Sequence, residues 1–240
     1  MSVVKAESIG KLVNGNPYVG RGIVIGKSQD GKKACIAYFI MGRSVNSRNR
    51  VFVEQGKDVT IYPFDAEKAG DPTLIIYSPI RVIDNKLIVT NGNQTDTVYD
   101  FIKEGKGGFR EALATREFEP DAPNLTPRIS GIVNFNDNGF DYSMSILKAA
   151  DDEGTACNRF TFDYSALNGI GHFIHTYKCD GNPIPTFEGE PERVIMPNTA
   201  KELAEDIWEN LNEDNKISLY VRYIDLENGK EDNILINKNK

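Results

Sequence analysis

Arg43, Arg48 and Arg50 place three arginines within eight residues, interleaved with Ser44, Asn46, Ser47 and Asn49. A guanidinium holds five N–H donors in a fixed fork, so several of them at one strand end make a site for a dianionic phosphate. The short polar residues between them favour irregular backbone and add donors of their own. A solvated turn with scattered charge has the same composition, so the rest of the chain has to decide. Two other polar stretches stand out. Asn91-Gly92-Asn93-Gln94-Thr95-Asp96-Thr97 runs straight into the apolar helical pattern of Val98, Phe101 and Ile102. It reads either as capping and turn chemistry, with Asp96 or Thr97 as N-cap, or as a ligand loop at a helix N-terminus. Glu119 to Ser130 carries prolines at 120, 123 and 127, which force a rigid, extended path suited to holding a carboxylate (Glu119) and an arginine (Arg128).

These residues need strands and helices to position them. Tyr18 to Gly26 is a glycine-punctuated strand carrying Arg21. A hairpin turn at Lys27 to Gly31 leads to a partner strand, Lys33 to Met41, with Tyr38. The turn stands where a dinucleotide fingerprint would need a helix. Arg21 and the arginine cluster then lie at neighbouring strand ends. Further strands are predicted within Val51–Tyr62 and at Thr73–Tyr77, Ile80–Ile83, Lys86–Thr90, Ile129–Asn134, Gly139–Leu147, Cys157–Phe162 and His172–Tyr177, with a closing hairpin over Ile217–Ile224 and Asn233–Ile236. A second helix is expected over Phe109–Phe118. A third follows the capping box of Thr199 and Glu202, its stripe of Leu203, Ala204, Ile207, Trp208 and Leu211 being core. About a dozen strands and three helices, without β–α alternation, give an α+β fold with extensive antiparallel sheet.

Composition excludes several functions. A net charge of −7 argues against sequence-independent nucleic-acid binding, which needs surplus Lys and Arg, and a local basic site in an acidic chain points to a small anion. No run of 18 apolar residues occurs and the start has no signal-peptide core, so no membrane partner is expected and the protein is expected in the cytoplasm. Cys35, Cys157 and Cys179 are far apart. His172 and His175 stand three apart on an expected strand, facing opposite sides, so no metal site is expected.

Tyr18-Val19-Gly20-Arg21, Arg43-Ser44 with Arg48, Tyr77 and Arg81 before Val89 to Asp96, and Asn124 to Ile129 together resemble the archaeal-type inosine monophosphate (IMP) cyclohydrolase family, in order and spacing. The resemblance covers residues 18 to 147, and the later part looks like longer bacterial relatives. It implies a single domain over 1–240, with 148–240 completing the sheets. The implied fold is a four-layer αββα sandwich like that of the N-terminal-nucleophile hydrolases. The implied reaction is closure of the formamido-imidazole-carboxamide ribotide to IMP with loss of water, without metal or organic cofactor. Its substrate is a small purine ribotide, and a homo-oligomer is compatible with it.

On that resemblance Arg21, Arg43 and Arg48, with Arg50 beside them, anchor the phosphate, and Tyr18, Ser44, Asn91, Asn93 and Asp96 complete the binding set. Tyr38, Tyr77, Glu119 and Arg128 serve the oxyanion and the protons, and Asp96 or Asp121 is an alternative for proton transfer or ribose. Each has a structural alternative: tyrosines filling the sheets, Arg81 and Arg128 pairing with carboxylates, Glu119 ending a helix. Two other functions share these residues: an amidohydrolase with a nucleophilic Ser44 or Cys35, and a nucleotide-binding protein without turnover.

Overall fold

A computed structural model describes residues 5–68 and 76–239. Most of the expected strand over Thr73–Tyr77 lies outside them, and Tyr77 itself is buried but not in a strand. The chain forms two sheets whose neighbouring strands all pair antiparallel. The six-stranded sheet has the order β11 (Glu192–Ile195), β10 (Ile170–His175), β1 (Arg21–Lys27), β2 (Lys33–Met41), β12 (Lys216–Asp225), β13 (Glu231–Asn237). The seven-stranded sheet runs in chain order: β3 (Val51–Gln55), β4 (Asp58–Tyr62), β5 (Ile80–Ile83), β6 (Lys86–Thr90), β7 (Arg128–Asn136), β8 (Gly139–Ala149), β9 (Cys157–Ser165).

The alternation along β2 explains the stacking. Ile36, Tyr38 and Ile40 point to one face and join Ile23 and Ile25 of β1 with Leu87, Val89, Ile129 and Val133 of the other sheet. Cys35, Ala37, Phe39 and Met41 point to the opposite face, under helices α1 (Ile9–Val13) and α5 (Ala200–Asn210). On the far side of the seven-stranded sheet, Ile88, Ile132 and Leu147 pack against α3 (Gln94–Lys103) and α4 (Phe109–Ala114). Both sheets are therefore apolar on both faces, and this is why β2 reads as a nearly continuous hydrophobic run. Residues after 148 supply β9 to one sheet and β10 to β13 with α5 to the other.

Helix α5 carries the expected capping box: Thr199 Oγ1 accepts from the Glu202 N–H at 3.2 Å, and the Thr199 N–H donates to Glu202 Oε2 at 3.1 Å. Helix α3 starts earlier than expected, at Gln94 with Asn93 as N-cap, so Asp96 sits inside the first turn. The cause is side-chain competition. Thr95 Oγ1 lies 2.6 Å from Thr90 Oγ1 and Gln94 Nε2 donates to Asn91 at 2.9 Å, ordering the loop before the helix. Helix α4 stops at Ala114 rather than Phe118. The one-turn helix α2 (Val45–Arg48) lies inside the arginine stretch. Both histidines lie on β10, as strand residues. Among the described residues no helix is long and apolar enough to cross a membrane.

Candidate functional site

The seam between the sheets opens at the end where β1 begins and β2 finishes. Arg21 lies two residues before Ile23 on the core-facing side of β1 and pairs with Ile40 of β2. Gly20 makes this entry possible. It sits at φ 78°, and a Cβ there would come within 2.1 Å of Thr176 Oγ1 and 2.6 Å of the Tyr177 ring. The opening is a cleft of about 410 Å3 whose lining includes Tyr18, Arg21, Arg43, Ser44, Ser47, Arg50, Glu119, Asp121, Thr126 and Tyr177.

At the inner end are two guanidinium groups with little to balance them. The Nε atoms of Arg21 and Arg50 are buried without a hydrogen-bond partner, and among the described residues neither side chain forms an ion pair. Burial, then the like charge of Arg21, holds Arg50 below its ordinary arginine pKa. Arg21 bears a strong burial penalty, yet Tyr18, Tyr77, Tyr177 and Glu119 around it keep it above its ordinary value. Beside them the Tyr38 and Tyr77 hydroxyls meet at 3.1 Å, and Tyr38 stacks on Phe52 with centroids 5.6 Å apart. Burial raises the pKa of both phenols, so both stay protonated at neutral pH. Arg21, Arg50 and Glu119 thus line one partly desolvated space, and the two neutral phenols, Tyr38 and Tyr77, lie buried behind its lining. Such a set can bind an anion, stabilise a developing oxyanion and move a proton.

At the outer end, Arg43 lies 5.1 Å over the Tyr18 ring, forms an ion pair with Asp180 and donates to the Gly181 carbonyl at 2.9 Å. Ser44 caps α2 by accepting from the Ser47 N–H at 3.1 Å.

Other expected site residues are placed elsewhere. Arg48 turns away from the cleft, donating to the Gly42 carbonyl at 3.1 Å and to Asn215 Oδ1 at 2.9 Å. Arg48 is the last residue of α2 and Arg50 lies past its C-cap, Asn49, so the chain has left the helix between them. Asp96 receives Arg81 Nη1 at 2.7 Å, and Arg81 also stacks 3.5 Å over Tyr99 on the outer face of the seven-stranded sheet. Asn93 accepts from Arg116 and does not line the cleft. Asn91 is buried and braces the proline-rich loop: it donates to the Pro127 carbonyl and accepts from the Ile129 N–H, each at 2.9 Å. Arg128 stands one step behind the cleft, bonded to Gln94 Oε1 at 2.8 Å and 3.7 Å from Glu119 Oε1. The Asn91–Asp96 loop therefore braces the site without lining it. Sequence reading took Tyr177 only as a strand residue and gave Thr126 no role; nothing local to either marks it out.

A first prediction follows from the two arginines of α2. If the outer end holds the anionic group of the ligand, Arg43→Ala raises KM about tenfold or more, since a charge-assisted hydrogen bond contributes about 1.5–3 kcal/mol. Arg48→Ala leaves KM within about twofold of the parent. Steady-state kinetics on the two variants checks both.

Comparison with known proteins agrees with this geometry. Residues 18–230 match a family described as IMP cyclohydrolase-like protein. IMP cyclohydrolase of Methanococcus aeolicus is 31% identical over 167 residues, covering 68% of this chain and 75% of its own length. That of Methanocaldococcus jannaschii is 29% identical over 212 residues, covering 87% of this chain and 94% of its own. That of Methanosphaera stadtmanae is 36% identical over 128 residues, covering 51% and 61%. The match extends beyond the arginine-bearing strands to β10 and β12, the strands that complete the cleft-bearing sheet, and the chain belongs to the IMP cyclohydrolase-like family.

Proposed function

We infer that this chain catalyses ring closure of 5-formamidoimidazole-4-carboxamide ribotide to IMP with release of water. Within the family match, the observation that carries the reading is the unpaired guanidinium couple of Arg21 and Arg50 facing Tyr77 and Glu119. Both reacting groups sit on one imidazole, so the enzyme has to hold the rotamer in which carboxamide nitrogen and formyl carbon touch. Glu119 takes a proton from the attacking nitrogen. The former formyl oxygen becomes an oxyanion beside Arg21 and Arg50, and Tyr77, kept protonated by burial, protonates it to a hydroxyl. That hydroxyl leaves as water with the proton held on Glu119 as the ring C=N bond forms, and the ring nitrogen's remaining N–H proton returns to the Tyr77 phenolate. Tyr38 orients Tyr77 through the 3.1 Å contact. The phosphate takes the outer end, at Arg43, Ser44 and Ser47, and Arg128 holds Glu119 in place.

An amidohydrolase reading fits less well. No histidine or cysteine lines the cleft, so Ser44 would have no neighbouring imidazole to activate it. The sheets and their helical flanks are in keeping with the four-layer sandwich of the N-terminal-nucleophile hydrolases. We take residues 1–240 to act as one cytoplasmic domain on this small ribotide.

The test is to follow IMP formation by absorbance on mixing purified protein with the formamido ribotide. Acceleration that Glu119→Gln lowers at least about a hundredfold in kcat supports the reading. A parent protein no faster than the spontaneous reaction overturns it.

A further inference from the structure

Three residues of the cleft lining, Asp121, Thr126 and Tyr177, form a hydrogen-bonded chain with one direction. Asp121 accepts from the Thr126 N–H at 2.6 Å and also from the Thr126 hydroxyl. A carboxylate has only acceptors, so the single hydroxyl proton of Thr126 is spent on Asp121. Thr126 Oγ1 is also 2.5 Å from the Tyr177 hydroxyl, and with its own proton committed it accepts there. Tyr177 is therefore the donor. Burial, the largest influence, pushes its phenol up to about 12, so that proton is present at neutral pH. The order Tyr177 to Thr126 to Asp121 leaves lone pairs as the hydrogen-bonding capacity that Tyr177 Oη can turn to the cleft.

Three constraints hold this arrangement in place. Tyr177 stacks on Tyr18 with centroids 5.7 Å apart and rings 25° from parallel. The Pro120 to Pro127 loop keeps Leu125 at φ 43°, a conformation a branched side chain rarely takes, one residue before Thr126. Across the chain, the Ile184 N–H donates to Asn124 Oδ1 at 3.2 Å, closing the loop against the segment after β10. The result is that Tyr177 Oη and the Glu119 and Asp121 carboxylates offer acceptors in the same cleft as the guanidinium donors of Arg21, Arg43 and Arg50. A ligand matching both carries negative charge at one place and hydroxyl or amine donors at another.

We propose that Tyr177, oriented by Thr126 and Asp121, reads the ribose hydroxyls of the nucleotide and makes the site selective for ribonucleotides over their deoxy forms. The assignment rests on the nucleotide reading of this cleft. It deepens that reading by giving a specificity role to a residue from the carboxy-terminal half of the chain, outside the segments that carry the reaction.

The experiment is calorimetric binding of IMP, 2′-deoxy-IMP and 3′-deoxy-IMP to the parent protein and to Tyr177→Phe. The variant keeps the ring stack on Tyr18 and the Thr126–Asp121 bonds, so its fold is retained. The parent is expected to bind IMP about fivefold to tenfold more tightly than at least one deoxy form, as for one hydrogen bond lost. Tyr177→Phe weakens IMP to the level of that deoxy form and leaves the deoxy form unchanged. Equal binding of all three nucleotides by the parent overturns the assignment while leaving the nucleotide site intact, and so does a Tyr177→Phe loss that is the same for all three. Failure of the parent to bind any of them overturns the underlying nucleotide reading, and the assignment with it.

Discussion

Arg50→Met is expected to lower kcat for ring closure by about two to three orders of magnitude, the usual cost of removing one preorganised donor to an oxyanion, while raising the Tm of the ligand-free protein. The two effects have one origin. Arg50 stands half-buried beside Arg21 with its Nε shielded from solvent and unpartnered, so its charge works against the fold until an anion or developing oxyanion faces it. Replacing such a charge by an apolar side chain of similar length removes repulsion and desolvation together, and a gain of about 1 kcal/mol raises Tm by about 2–4 °C in a chain of this size. Thermal melts without ligand, beside single-turnover kinetics, measure both. A variant that loses activity and also melts lower would show that Arg50 is held by bonds its geometry does not reveal.

Arg222→Met is expected to do the opposite to stability. Arg222 is fully buried, unlike the half-buried Arg21 and Arg50 of the cleft, and it is saturated with partners. Its Nε and Nη2 donate to the Tyr220 hydroxyl at 3.0 and 2.6 Å, Nη1 donates to the Lys57 carbonyl at 2.9 Å, and Glu231 lies 3.5 Å away. Tyr220 passes its own proton to Glu54 at 3.0 Å. Strand β12 of one sheet is thereby bonded to the β3–β4 hairpin of the other. Methionine would leave the Lys57 carbonyl and Glu231 short of a buried donor, at a cost of about 3 kcal/mol or more. The expected result is a Tm lower by about 6 °C or more, with kcat little changed at temperatures where the protein is folded. Denaturant titration of the variant measures the loss directly.

Residues whose role depends on their own strand end were legible in the sequence. Arg21 follows a glycine that must turn, Arg43 follows an apolar run that must be a strand, and Glu119 opens a loop that its prolines make rigid. What failed was direction and partnership. Arg48 and Arg50 are two residues apart, but α2 ends between them, sending one to Asn215 and the other into the cleft, and one turn of helix is too short to leave a periodicity. Asp96 has the right position for a ligand at a helix N-terminus, yet Arg81 from β5 claims it. Tyr177 and Thr126 meet across 51 residues of sequence, and only the folding of the two sheets brings them together. The fold class was legible because apolar, β-branched and aromatic runs such as β2, bounded by turn residues, report strands, which is a local property.

The inner cleft carries a further consequence for the protein's lifetime. A site that keeps two like charges side by side with their Nε atoms unpartnered gains stability when an anionic ligand fills it. At ligand concentrations a hundredfold above Kd, occupancy adds about 2.7 kcal/mol to the folded state. Cellular abundance of this chain should therefore follow the supply of its nucleotide: in a cell depleted of purine precursors more copies open and are lost to proteolysis, with no change in synthesis.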